Sequence, residues 1–204
     1  MINFESHPIS VVYDLVNRYG DGFVLSFSRY LYRPQSPLDE REVFNVGVSE
    51  VGQSWLEDQI GQLHDGWELA LNSEVIDSRN RRFHIPMIDF AGRETSFFFT
   101  KYFRAIVGVG FNDSMLVFDS GRSFHAYSPT LISNKAWVRF MGGLLLLTLP
   151  GQTQIVDDRW VGHRLRGGYS ALRWSCRSGN YLKIPEFVSL SNIFREKHAR
   201  DLGD

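Results

Sequence analysis

The chain has 204 residues, of which 43% are hydrophobic and 22% charged, a composition typical of a globular protein with a sizeable core. The formal net charge of -1 excludes a uniformly basic nucleic-acid coat, so contact with a polyanion needs a local basic patch. Cys176 is the single cysteine, which excludes an intrachain disulfide and favours a reducing compartment. The start lacks signal-peptide features, and the most apolar run, 141–150, is shorter than the about 20 residues that cross a bilayer. We therefore expect a cytoplasmic protein without a membrane partner, with this run buried as a strand or helix segment.

The first part of the chain alternates helical and strand patterns. Apolar residues at helical spacing, followed by two glycines, predict a helix over 6–22, and alternation predicts a strand over 23–33. Segment 36–71 mixes another strand with one or two helices. A short apolar strand in segment 83–92 ends at Asp89.

The second part continues in the same manner. The aromatic segment 94–111 fits a helix or a strand, whereas 114–132 predicts a hairpin whose turn is Ser-Gly-Arg. A helix is predicted in 134–150, and the polar tail 189–204 predicts a short helix. Interleaved helices and strands indicate the mixed α/β (α+β) class.

No linker or repeat divides the chain, so we expect one domain over 1–204. Within it we distinguish an N-terminal α/β module over 1–80, a catalytic-type core over 81–190 and a polar tail over 191–204.

Three candidate motifs could carry chemistry. They are Asp89 at a strand end, the stretch SGRSFH at 120–125, and Asp157 in IVDDRW. Carboxylates hold hard divalent cations, while loop amides and basic groups hold phosphates, so these are parts that metal-dependent phosphoryl transfer uses. Each also has a plain structural interpretation. Asp89 could cap a turn, His125 could be an ordinary strand histidine, and Asp157 with Asp158 could form a solvated turn.

A basic stretch follows the third candidate motif, and in it arginines alternate with the aromatic residues Trp160, Tyr169 and Trp174. Cations beside aromatic faces suit a nucleic-acid backbone and unstacked bases. The alternative is that these arginines pair with acids of the chain itself. The candidate nucleic-acid contacts are Arg159, Arg164, Arg166 and Arg173.

Two other chemistries lack support in the sequence. His84 and His163 have no spacing typical of a zinc site, so we interpret both as structural. No G-x-S-x-G motif surrounds Ser123, which argues against a serine hydrolase.

In their order and residue types, the three candidate motifs resemble those of the archaeo-eukaryotic primases, the superfamily that includes the primase-polymerases. Within it, the resemblance is to small bacterial primase-like proteins in particular. PMIDFA resembles the first motif, DSGRSFHAY the Ser-x-His hairpin of the second, and IVDDRW the third. LRWSCRSGNYLKIP resembles the closing segment. The resemblance covers 83–186, and SGRSFH is its most specific element.

The resemblance implies an antiparallel sheet related to the RNA-recognition motif, flanked by helices. It implies that Asp89 and Asp157 face each other across a cleft and hold Mg²⁺ or Mn²⁺ as catalytic residues, with Ser123 and His125 at the rim. Arg122, Ser123 and His125 would then hold a nucleoside triphosphate, and the four arginines a single-stranded nucleic acid.

One departure from the family pattern bears on activity. The family has a second acid two residues after the first, and here that position is Ala91, which cannot ligate a metal. This degenerate first motif favours a primase-like protein that binds nucleotide or nucleic acid, is catalytically impaired and acts with protein partners in a larger nucleic-acid-processing assembly. The alternatives are an active metal-dependent nucleotidyltransferase, that is a DNA primase or polymerase, and a purely structural interaction module.

Overall fold

The computed structural model describes residues 2–33 and 36–189 of the chain. The described residues contain ten β-strands. They are β1 (Phe23–Leu31), β2 (Glu40–Gly47), β3 (Trp67–Asp77), β4 (Arg82–His84), β5 (Met87–Asp89), β6 (Leu116–Asp119), β7 (Phe124–Tyr127), β8 (Ile132–Ser133), β9 (Ala171–Arg173) and β10 (Glu186–Val188).

Six α-helices and two short 3₁₀ helices complete the described part. The α-helices are α1 (Ser10–Tyr19), α2 (Gln53–Gly61), α3 (Lys101–Val107), α4 (Val109–Ser114), α5 (Asn134–Leu144) and α6 (Asp158–Gly167). The 3₁₀ helices cover Val48–Glu50 and Ser96–Phe99. All strand pairs are antiparallel, so the predicted single α+β domain with antiparallel strands flanked by helices is confirmed.

The larger sheet has the order β2–β1–β3–β4–β8, and β9 also pairs with β3. One edge of β3 is covered by β1. Its other edge is shared by two strands, because 74–76 pair with β4 and 70–72 pair with β9. The sheet thus combines strands from both sides of residue 80, and the proposed division of the domain at that residue stays a prediction.

The smaller sheet has the order β10–β6–β7–β5, and its centre is the predicted hairpin of β6 and β7. The Ser120 amide donates to the Ser123 carbonyl at 3.0 Å, which closes the turn. Gly121 has a φ of 106°, and a Cβ there would lie 2.9 Å from the Cβ of Leu182, so the turn requires glycine. The hairpin prediction is confirmed.

Two hydrophobic cores lie on opposite faces of this smaller sheet, because strand side chains alternate. Met87, Phe118 and Tyr127 join the first core, which includes α1 and the inner face of the larger sheet. Ile88 and Val117 join the second core under α3 to α6. Asp89 and His125 continue the alternation of Met87 and Tyr127, so both side chains lie on the face of the first core.

Segment 94–111, which fits a helix or a strand from sequence, forms the second 3₁₀ helix followed by α3 and α4. The Thr100 hydroxyl accepts a hydrogen bond from the Phe103 amide at 3.1 Å and so caps α3. Gly108, with a φ of 87°, ends that helix. Phe103 and Phe111 then pack into the second core.

The expectation that 141–150 is buried is correct for only part of that run. Helix α5 ends at Leu144, and the chain continues in turns that keep Leu147 inside. Leu145, Leu146 and Leu149 are instead 41%, 59% and 43% exposed. A turn has no face that could bury every leucine of a continuous run. The predicted helix of the polar tail lies almost wholly outside the described residues.

No helix in the described ranges is both long enough and apolar enough to cross a membrane.

His7 ties the N-terminal segment to the end of β9. The Ile9 amide donates to its Nδ1 at 3.0 Å, so Nε2 carries the proton and donates to the Trp174 carbonyl at 2.8 Å. The ring also meets Trp174 edge-on, with centroids 5.3 Å apart. Burial lowers the pKa of His7 from 6.5 to about 4, against the hydrogen bond to Trp174, which raises it.

This histidine is expected to make the fold acid-sensitive between pH 6.5 and 4. The unfolded chain takes up the proton first, so the contribution of His7 is complete above about pH 6.5 and is lost as the pH falls towards 4. The loss amounts to about 3 kcal/mol of the free energy of unfolding. Urea unfolding across this range measures it. His7→Gln should show a shallower loss than the unchanged chain, while the exposed His64→Gln should not, and parallel curves for His7→Gln would contradict the assignment.

Candidate functional site

A cleft of about 290 Å³ opens where the face of the first core ends, between the smaller sheet, β9 and α6. Asp89 at the end of β5 and Asp157 just before α6 both line it. The Asp157 amide donates to the Asp89 carbonyl at 3.1 Å, and Phe90 pairs with Val156. The two aspartates therefore lie side by side on neighbouring segments, not on opposite walls as the family resemblance implied.

The environment of these carboxylates opposes a second negative charge. Burial and, next, the Asp157 charge raise the pKa of Asp89 to about 8, although Arg173 and Arg164 act in the opposite direction. Oδ1 of Asp157 accepts a hydrogen bond from the Trp160 amide at 3.0 Å and caps α6. The pair thus has one partly buried carboxyl group that a nearby cation would help to ionise.

His125 lies opposite Asp89 in the pairing of β5 with β7, and its Nε2 is 3.7 Å from Oδ1 of Asp89. Burial lowers the pKa of His125 to about 3, and Arg173 contributes to the shift. The ring is therefore neutral at physiological pH. Its Nδ1 is buried without a hydrogen-bond partner in the described part of the chain.

Arg164 on α6 is the most unusual side chain of the cleft, because it is only 2% exposed. Its Nη2 donates to Asp39. Its Nε and Nη1 are buried and have no hydrogen-bond partner among residues 2–33 and 36–189. Buried polar groups are normally satisfied, so these two donors indicate a place for an anion.

Arg173 is also buried, and both of its terminal nitrogens donate within the fold, while its Nε has no hydrogen-bond partner among the described residues. Nη1 donates to the carbonyls of Ser175 and Lys183, and Nη2 donates to the Ser120 carbonyl at 3.0 Å. The guanidinium also stacks on Tyr181, 4.0 Å from the ring centroid. Arg173 therefore holds the hairpin turn to the closing segment of the chain.

The other two arginines lie further out. Arg159 lines the cleft and donates to the Ser36 carbonyl at 3.3 Å. Arg166 is exposed and lines a neighbouring surface depression instead.

Most of the hairpin turn points away from the cleft. Arg122 is exposed, and Oγ of Ser123 lies 3.1 Å from Oγ of Ser120. Neither side chain is part of the cleft lining. The structure therefore brings six predicted residues together and leaves three outside. Those together are Asp89, His125, Asp157, Arg159, Arg164 and Arg173, and those outside are Arg122, Ser123 and Arg166.

The opposite wall comes from residues that the sequence analysis did not single out. Residues of 30–33 and 36–41 contribute two tyrosines, an acid and two arginines, and the closing segment contributes Tyr181. The hydroxyls of Tyr30 and Tyr181 are 3.1 Å apart. The aromatic and charged residues of 30–33 and 36–41 were a weak sequence signal for a binding site, because no motif surrounds them. The added lining residues of most interest are Tyr30, Tyr32, Asp39, Arg41 and Tyr181.

The carboxylates fit one shared divalent cation better than a complete two-metal site. Across the described ranges, no three His, Cys, Asp or Glu side chains are placed to hold a metal ion. Ala91 supplies only its backbone, whose amide donates to the Ile155 carbonyl at 2.9 Å. Glu94, the next acid, accepts hydrogen bonds from the amides of Thr95 and Ser96. Two carboxylates can still hold Mg²⁺ when ligand phosphates complete its coordination.

Two neighbouring aspartates, a hairpin histidine and two buried arginines thus line one cleft. The family model AEP-like, described as archaeo-eukaryotic primase 1D-like, matches residues 47–186. The match covers well over half of the chain, which therefore belongs to this family. No curated protein and no solved structure matches the chain.

Proposed function

We propose that this primase-like protein binds a nucleotide or a nucleic-acid strand in the cleft through its phosphates. The observation that carries the proposal is Arg164, a buried guanidinium with two unpartnered donors beside two aspartates. Buried donors without acceptors are costly, and a phosphate would supply the acceptors that Nε and Nη1 of Arg164 lack in the described part of the chain. Membership of a primase family agrees with a phosphate-bearing ligand.

Each lining residue has a role in this proposal. Asp89 and Asp157 would hold one Mg²⁺ or Mn²⁺ together with ligand phosphates, and such an ion neutralises phosphate charge. Arg164 and Arg159 would donate to phosphate oxygens. His125 would offer Nδ1 to a ligand group.

The other residues of the cleft and of the hairpin turn have smaller roles in the proposal. Tyr32 is 39% exposed at the cleft and could stack on a base. The roles of Arg122 and Ser123 towards a triphosphate, and of Arg166 towards nucleic acid, stay predictions. Arg173 would act mainly by holding the cleft in shape.

Catalytic impairment and a place in a larger assembly, in the cytoplasm, also belong to the proposal. Ala91 removes a ligand that the family pattern provides, so nucleotidyl transfer by this chain alone would lack part of its metal site. Partner proteins would then supply the chemistry.

Thermal unfolding tests the binding proposal. ATP with Mn²⁺ is expected to raise the melting temperature of the protein, because a ligand that binds only the folded state stabilises it. At one hundred times Kd the gain is about 2.7 kcal/mol, or roughly 5–10 °C for a domain of this size. Adenosine, which lacks phosphate, is the control and should give no shift. An absent shift at millimolar ATP would count against the proposal and favour a structural module.

The side-by-side carboxylates keep active nucleotidyl transfer as a second candidate, because together they can bind a metal ion. A primer synthesis and extension assay on single-stranded template, with Mg²⁺ or Mn²⁺, separates the candidates. Products that disappear in Asp89→Asn would establish the enzyme, whereas folded protein without products supports the binding function.

A further inference from the structure

Asp39 is shared by two arginines at the mouth of the cleft. Its carboxylate accepts from Nε of Arg41, at 2.7 Å and 2.8 Å, and from Nη2 of Arg164. Arg41 is fixed in turn, since its Nη1 donates to Oγ of Ser28 at 2.9 Å. Across the described ranges, Asp39 is the acid that forms an ion pair with Arg164.

The position of this carboxylate follows from the burial of Arg164. A guanidinium that is 98% removed from water needs a counter-ion, since an unpaired buried charge is strongly destabilising. Burial alone would raise the pKa of Asp39, but Arg41 and Arg164 hold it below its ordinary value. Asp39 is therefore ionised at neutral pH and supplies that counter-ion.

The carboxylate is nevertheless placed where a ligand can replace it. Asp39 directly precedes β2, and its side chain is 31% exposed, whereas Arg164 comes from the helix beneath. The Asp39 carboxylate satisfies only Nη2 of Arg164 and leaves Nε and Nη1 without partners. A phosphate group, with several oxygens, could serve these donors as well.

We infer that Asp39 is an internal competitor for phosphate, which lowers the affinity of the cleft for any ligand whose phosphate reaches Arg164. The inference rests on the proposed function and adds the residue that sets its affinity. Asp39 and Arg41 precede residue 47, where the family match begins, so the competing carboxylate lies outside the match, whereas Arg164 lies within it.

The competition has a quantitative consequence. When the binding-competent state is a fraction of the molecules, the observed Kd is the intrinsic value divided by that fraction. If Asp39 leaves Arg164 in about one molecule in ten or fewer, removing its charge tightens phosphate binding about ten-fold or more. The factor is the same for every ligand that displaces Asp39.

Calorimetric titration of ATP and of inorganic tripolyphosphate into Asp39→Asn tests the inference. Both ligands are expected to bind at least about ten-fold more tightly than to the unchanged protein. Glu42→Gln is the matched control, because Glu42 is exposed on the adjoining strand β2, is not part of the cleft lining and loses the same charge. It should alter Kd less than about two-fold.

Each outcome of these titrations supports or overturns the inference. Unchanged or weaker binding by Asp39→Asn, with measurable binding by the unchanged protein, overturns the inference and makes Asp39 a residue that orients Arg164. Binding by Asp39→Asn alone supports it. No binding by either protein overturns the proposed function and the inference together.

A structure of the unchanged protein with tripolyphosphate gives a second test that does not depend on how well the variant folds. The Asp39 carboxylate is expected to lie beyond ion-pair distance of Arg164 once phosphate is bound. Retention of that ion pair beside bound phosphate would overturn the inference.

Discussion

Replacing Arg164 by glutamine is expected to weaken the binding of ATP by about a hundred-fold. A hydrogen bond to a charged group contributes about 1.5–3 kcal/mol, and two donors of Arg164 have no partner in the described part of the fold. The variant should therefore lose about 3 kcal/mol of the binding free energy. Glutamine keeps a polar side chain of similar reach but has neither the charge nor the paired donors. Titration calorimetry at fixed ionic strength measures the change.

The matched control for this variant is Arg139→Gln. Arg139 is an exposed arginine on α5, away from the cleft, so its loss removes the same charge from the protein. We expect less than about a two-fold effect on Kd, since exposed charges are screened by salt. Equal weakening by both variants would mean that net charge, and not the cleft, attracts the ligand.

Arg173→Met is expected to have the second large effect, which is a loss of folding stability. Methionine keeps an unbranched side chain but leaves the carbonyls of Ser120, Ser175 and Lys183 without their donors. Each buried unsatisfied group costs about 1–3 kcal/mol, so we expect the free energy of unfolding to fall by about 3–5 kcal/mol. Urea unfolding measures this loss.

Arg177→Met provides the comparison, because the Arg177 side chain is exposed and the fold uses only its backbone amide, which donates to Glu68. That variant should change stability by less than about 0.5 kcal/mol. A similarly small effect of Arg173→Met would show that water replaces the guanidinium donors without cost.

Local patterns predicted much of the fold. The apolar spacing before Gly20 marks α1, and the Ser-Gly-Arg turn marks the hairpin of β6 and β7, because both signals act within a few residues. Segment 94–111 remained open between helix and strand because aromatic residues suit both. The cap at Thr100 and the packing of Phe103 decide for helix, and the packing depends on distant parts of the chain.

The candidate site was predicted in part for the same reason. Asp89, His125 and Asp157 come together because β5 pairs with β7 and the segment before α6 lies beside the end of β5. The pairing of Asp39 with Arg164 joins positions 125 apart in the chain, and no local pattern encodes it. Sequence spacing also does not distinguish Arg164, which turns inward, from Arg166, which faces water two residues later.

The shared edge of β3 has a consequence for the order in which the chain can fold. The Leu69 amide donates to Oγ of Ser175, 106 positions later, at the place where β9 completes the sheet. Pairings this distant in sequence close slowly, because the loop entropy is lost before the contacts form. During synthesis, the part of the β3 edge that pairs with β9 therefore stays unpaired until β9 has left the ribosome. The cleft is complete only after this pairing, because its lining includes both Arg173 of β9 and Tyr181, which follows β9 in the chain.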